Sequence, residues 1–255
     1  MALPRLIGMV HLAPLPGSPG FGGDLDAVIA TAVADARVLA SAGFDGLMIE
    51  NFGDAPFFAD DAPKETIASL TAAVIAVHDA ARIPTGVNVL RNDALGALAI
   101  AAATPASFIR VNVLSGTMFT DQGPIVGKAA QIARVKQAIC PDVAIMADVF
   151  VKHATPPAGL SLVDATHDLV ERAGADAVVV SGSGTGSAAD PSDVETVTAA
   201  STLPVYLGSG VDEGNIQTML DLADGAIIGT SIKVERLATG PVDPELASRM
   251  VAAAG

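Results

Sequence analysis

Eight short apolar runs, rich in β-branched residues, recur along the chain at a spacing of roughly 32 residues, and few folds accommodate that rhythm. The runs are Arg5–Val10, Gly46–Glu50, Thr85–Val89, Phe108–Val113, Val143–Asp148, Ala177–Ser181, Val205–Leu207 and Ala226–Ile228. Hydrophobicity is nearly continuous within each, as parallel strands covered on both faces require. Alanine-rich amphipathic segments lie between them. In the first, Ala27, Val28, Ala32, Ala34, Ala36, Val38 and Leu39 supply apolar contacts, and Asp35 and Arg37 are expected at solvent or helix ends. Eight such units over 255 residues predict an α/β protein, a single (β/α)8 TIM barrel domain spanning 1–255. A doubly wound open sheet also alternates strand and helix, but even spacing and polar residues at most strand ends favour closure.

Three helix ends share a signature: Ala42-Gly43-Phe44-Asp45, Ala173-Gly174-Ala175-Asp176 and Leu222-Ala223-Asp224-Gly225 each precede an apolar strand. Glycine past a helix end takes the left-handed conformation easily, and the aspartate can accept from turn N–H groups. This device belongs to the base of a barrel, away from chemistry.

The balance of 14 basic against 28 acidic residues gives a formal charge of −14. Such a field repels nucleic acid and anionic membranes. An anionic ligand therefore needs local donors. Cys140 is the only cysteine, which excludes an internal disulfide and a cysteine metal cluster. No signal-like N-terminus or run long enough to span a bilayer is visible, so a cytoplasmic protein without integral membrane segments is expected. Apolar helices and a mean hydropathy of +0.50 suit a homo-oligomer.

In barrels of this kind the active site forms at the C-terminal ends of the strands. Those positions carry His11; Glu50 and Asn51; Asn88 and Arg91; Arg110 and Asn112; Asp148, Lys152 and His153; then Ser181, Ser209 and Ser231. His78 and His167 fall inside helical patterns and read as structural or surface residues. Three glycine-bearing loops follow the last three strands: Val180-Ser-Gly-Ser-Gly-Thr-Gly-Ser187, Leu207-Gly-Ser-Gly210 and Ile228-Gly-Thr-Ser231. Glycine lets backbone N–H groups approach an anion, and barrels often hold phosphate with their late loops. The expected phosphate grip is thus Ser181, Gly182, Gly184, Thr185, Gly186, Gly208, Ser209, Gly210, Gly229, Thr230 and Ser231. Two lookalikes fail. Gly123–Ala129 has one residue too few for a P-loop, and Gly182-Ser-Gly184-Thr-Gly186 lacks the third glycine of a dinucleotide fingerprint and follows the sixth strand.

After the first strand, Pro14, Pro16 and Pro19 stiffen a loop that would cover the mouth and hold His11; Glu50-Asn-Phe-Gly-Asp-Ala-Pro-Phe57 is its counterpart after the second. Asp54 there reads as a turn cap. Glu50 and Asp148 are the candidate general acid and base, because a carboxyl in a partly dry mouth is pushed towards neutrality. His11 would shuttle a proton. Lys152 would neutralise an oxyanion or, as a second role, form a Schiff base. Asn51, Asn88, Arg110, Asn112 and His153 would bind substrate. No cofactor is required by this set; the alternative is one divalent cation held by His11, Glu50 and Asp148.

The segments Ile7–Pro19 and Gly46–Pro56, with Arg110-Val-Asn112, Asp148–Ala154, Ser181–Gly186 and Gly229–Lys233, resemble the BtpA family, which includes SgcQ-like proteins. The resemblance implies a phosphate-binding, ribulose-phosphate-binding-like barrel. Two function classes stay open. One is an enzyme acting on a phosphorylated sugar or nucleotide-derived molecule, with isomerase, epimerase or lyase chemistry. The other is a non-catalytic regulatory or assembly factor that binds a phosphorylated effector or a protein partner.

Overall fold

The computed structural model describes residues 3–182, 184 and 188–255. Its strands are β1 (Leu6–His11), β2 (Gly46–Glu50), β3 (Thr85–Asn88), β4 (Phe108–Val111), β5 (Thr117–Thr120), β6 (Gly123–Val126), β7 (Ala144–Asp148), β8 (Ala154–Thr155), β9 (Ala177–Val180), β10 (Val205–Leu207) and β11 (Gly225–Ile228). Helices α1 (Leu25–Ala42), α2 (Lys64–Ala81), α3 (Ala94–Ala103), α4 (Ala129–Ile139), α5 (Leu162–His167), α6 (Pro191–Ala200), α7 (Ile216–Leu220) and α8 (Pro244–Ala254) connect or follow them.

Eight parallel strands close into a barrel in the order β1-β11-β10-β9-β7-β4-β3-β2. All eight apolar runs are barrel strands, with ends displaced by at most two residues. The sequence pattern did not predict the three-stranded antiparallel sheet β6-β5-β8. It joins the segments that follow β4 and β7, so it stands on the same side as the mouth.

Strand side chains alternate between two cores. Ile7, Met9, Met48, Phe108, Met146, Ala177, Val179, Tyr206 and Ile227 fill the barrel interior. The other face, with Val10, Leu47, Ile49, Val87, Ile109, Ile145, Val178, Val180, Leu207 and Ile228, packs against the helices. One further inward step from the interior layer reaches His11, Glu50, Asn88, Arg110, Asp148, Ser181, Gly208 and Gly229. Each barrel strand thus sends one residue into the mouth. The first four are in register across adjacent strands, His11 opposite Glu50, Glu50 opposite Asn88 and Asn88 opposite Arg110.

The repeated base signature has a more specific role than turn satisfaction. Asp45 Oδ2 accepts from Leu6 N–H (2.9 Å), Asp176 Oδ2 from Ile145 N–H (2.8 Å) and Asp224 Oδ2 from Val205 N–H (2.8 Å). Each aspartate ties the foot of the strand it precedes to the foot of its neighbour. Gly43 (φ 99°) and Gly174 (φ 75°) take the left-handed turn that brings the chain back to the barrel.

Asp35 corrects an expectation. It is buried inside α1, where its Oδ2 accepts from Lys233 Nζ (3.3 Å) and its Oδ1 from Val242 N–H (2.8 Å). Lys233 is fully buried and also donates to Gly240 O (3.1 Å). Two charges removed from water need this mutual pairing. The pair moors the segment after β11 to the first helix. Cys140 is buried at the end of α4.

Candidate functional site

Arg110 lies across the mouth. Its Nε donates to Asp148 Oδ2 (2.9 Å) and its Nη2 to Asp148 Oδ1 (2.7 Å), a two-pronged pair with both side chains almost fully buried. Asn112 Nδ2 also donates to Asp148 Oδ2 (3.1 Å), and Ser181 Oγ donates to Oδ1 (3.2 Å). Both oxygens of Asp148 are therefore engaged. Asn88 Nδ2 donates to Arg110 O (3.0 Å) and Asn112 Oδ1 (3.2 Å), which fixes the backbone and neighbour of the same arginine. Gly208 leaves room for this web: a methyl there would lie 2.3 Å from Ser181 Oγ and 3.0 Å from Arg110 Nη2.

Glu50 sits opposite in a different state. Burial pushes its carboxyl above the ordinary range, partly offset by Lys152, Arg110 and Arg91. His11 Nδ1 lies 2.8 Å from Ala238 O, and a carbonyl only accepts, so Nδ1 carries the proton. Burial, then Lys233, drop the imidazole pKa to about 3, so the ring is neutral. Its Nε2 lone pair then faces Glu50 Oε1 at 3.7 Å. Phe52 stacks on the imidazole with centroids 4.5 Å apart and fixes its plane. Lys152 completes the group, with its ammonium pKa lowered by burial and by Arg110 and partly restored by Glu50 and Asp148.

Two cavities meet at Glu50, Arg110 and Lys152. The first, about 220 Å³, is lined by Gly208, Ser209, Gly210, Gly229, Thr230 and Ser231, with His11 at its inner wall and Arg236 at its rim. Six of the expected phosphate residues therefore share one cavity. Gly182 N–H donates to Ser209 Oγ (3.1 Å) beside it. Thr185 and Gly186 lie outside the described residues. Ser231 Oγ is buried without a hydrogen-bond partner among the described residues. The second cavity, about 420 Å³, is walled by Phe52, Ala55, Phe57 and Leu90, with Arg91, Asn112, Asp121, Gln122 and His153 contributing polar groups.

Asn51 does not join the mouth. Its Oδ1 accepts from Leu90 N–H (2.7 Å), and its Nδ2 donates to Asp54 Oδ2 (3.1 Å) and Leu90 O (3.4 Å). Asp54 Oδ1 accepts from Leu15 N–H (2.7 Å), so these two residues brace the proline-stiffened loop. Nor do His11, Glu50 and Asp148 form a cation site: among the described residues no three such side chains are placed to hold a metal, and Arg110 already occupies Asp148. Sequence reasoning missed Arg236, Gln122, Phe52 and Phe57. The signal available for the two aromatics was their place in the loop after β2. Arg236 and Gln122 carried none.

Among the described residues no helix is long and apolar enough to cross a membrane. The fold is similar to that of tryptophan synthase from Mycobacterium tuberculosis, with a TM-score of 0.65 at 19% identity, covering 98% of this chain and 92% of that one. It is also similar to N-(5'-phosphoribosyl)anthranilate isomerase from Pyrococcus furiosus, with a TM-score of 0.60 at 12% identity and 98% coverage of both chains. At the sequence level it is 44% identical to the photosystem I biogenesis protein BtpA of Synechocystis over 249 residues, 97% of this chain and 87% of that protein. The BtpA family model matches residues 3–255, and the chain belongs to the BtpA family.

Proposed function

We propose that this barrel is an enzyme that binds a phosphorylated small molecule at its mouth and moves a proton on it, in isomerase, epimerase or lyase chemistry. The observation that carries the reading is the meeting of the two cavities at buried Glu50 and Arg110 and half-buried Lys152. The glycine-bearing loops of the first cavity and Ser231 Oγ take the phosphate. Hydrogen bonds to a charged group contribute about 1.5–3 kcal/mol each, so a few of them anchor an anion against the global field. Glu50 is the group that gives or takes the proton, since burial raises its carboxyl above the ordinary range. Lys152 stabilises the oxyanion that develops. Asp148 holds Arg110 in place. The phosphorylated compound in the name of the isomerase neighbour, N-(5'-phosphoribosyl)anthranilate, agrees with this class of ligand.

A thermal-shift screen across sugar phosphates tests the binding half, because a ligand at 100 times its Kd raises stability by about 2.7 kcal/mol. Solvent-deuterium incorporation into the compounds that bind tests the chemistry. Glu50→Gln is expected to abolish exchange and keep binding, whereas Asp148→Asn weakens both by releasing Arg110. No shift with any phosphorylated compound refutes the binding site. A second reading rests on the Synechocystis relative's name: a non-catalytic assembly factor. It requires binding without exchange in the unaltered protein.

A further inference from the structure

We infer that the second cavity receives a planar ring bearing an N–H donor, so that the substrate has two parts: a phosphate-bearing part in the first cavity and this ring in the second. The inference rests on the phosphate reading of the first cavity and adds the chemistry of what hangs from it.

Three observations support it. The cavities share Glu50, Arg110 and Lys152, so one molecule occupying both presents its middle to the proton-transfer group. One part of the second cavity's lining is apolar, made by Phe52, Ala55, Phe57 and Leu90, beside the polar groups of Arg91, Asn112, Asp121, Gln122 and His153. Sugar hydroxyls pressed against those four residues lose water without replacement bonds, whereas a flat ring covers aromatic and aliphatic surface well. The third is an orphaned atom. Gln122 Nε2 donates to Asp121 Oδ2 (2.6 Å), which leaves Gln122 Oε1 as an acceptor. That oxygen is buried and has no partner among the described residues. It calls for a donor on the ligand, which a ring N–H, an amino group or a hydroxyl supplies and a phosphate dianion does not. Ser231 Oγ plays the matching part in the first cavity. Gln122 lines the second cavity and Ser231 the first, so each cavity has one unsatisfied polar atom beside it.

The experiment compares inorganic phosphate, ribose 5-phosphate, fructose 1,6-bisphosphate, AMP and CMP by calorimetry on the whole protein. AMP or CMP is expected to bind at least tenfold more tightly than ribose 5-phosphate. Phe57→Ala and, separately, Gln122→Ala should remove most of that advantage while ribose 5-phosphate binding changes less than threefold; Gln122 lies on a hairpin, so its variant guards against misfolding of the other. Equal affinity for ribose 5-phosphate and both nucleotides overturns the ring, as does tighter binding of the bisphosphate. Variants that weaken all phosphates alike also overturn it. If no phosphorylated probe binds, including inorganic phosphate, the phosphate reading itself falls.

Discussion

Acid should destabilise this protein through His11. Its pKa of about 3 lies below the ordinary 6.5, first because burial penalises the imidazolium and then because Lys233 is near. Between those values the unfolded chain binds the proton and the folded one does not. Stability therefore falls as pH drops from 6.5 towards 3. At pH 5 the difference is about 1.5 pKa units, and at about 1.36 kcal/mol per unit the loss relative to neutral pH is about 2 kcal/mol. Domains are stable by only about 5–15 kcal/mol, so the effect is measurable. Glu50 acts with the opposite sign, since a raised carboxyl contributes stability at acid pH and loses it as pH rises through its folded value. Urea unfolding at pH 7 and pH 5 should therefore be run in a Glu50→Gln background, with and without His11→Asn. The asparagine amide can stand in for Nδ1 and donate to Ala238 O without titrating. The protein with His11 should lose about 2 kcal/mol more than the asparagine variant. Equal losses refute the buried, neutral imidazole.

Two further outcomes follow from packing and charge. Gly208→Ala pushes on Ser181 Oγ and on Val179 Cγ1, 2.3 and 2.6 Å from the added methyl, and so displaces Arg110. It should cost about 1–3 kcal/mol in stability and at least tenfold in ribose 5-phosphate affinity, read by urea unfolding and calorimetry; unchanged affinity would show that Arg110's position is irrelevant to binding. Lys233→Met leaves Asp35 buried with only the Val242 N–H as partner and should cost about 3–5 kcal/mol. Adding Asp35→Leu should restore most of the loss; a double variant as unstable as the single one contradicts the pairing.

The barrel was legible because each strand lies in a nearly continuous apolar run, as parallel strands buried on both faces require. The mouth was legible for a related reason: His11, Glu50, Asn88, Arg110 and Asp148 stand where apolar runs stop. What they do to one another was not. Asp148 and Glu50 look alike as strand-end carboxylates, yet Arg110 and Asn112 surround one and a neutral imidazole faces the other. Asp35 looked solvent-bound because its partner is 198 residues away. The β5–β6 hairpin escaped notice because Thr117–Val126 alternates buried and exposed positions around Asp121 and Gln122, too short and too polar to stand out.

The bond from His11 to Ala238 spans 227 residues, and the mooring of Val242 to Asp35 spans 207. During translation, the first strand waits for the last loop. A nascent chain can fold most of its wall before its histidine is held, its mouth closed or its late glycines present. Competence for ligand thus waits until Ala238 and Val242 have been made, after the β11 strand that closes the barrel against β1.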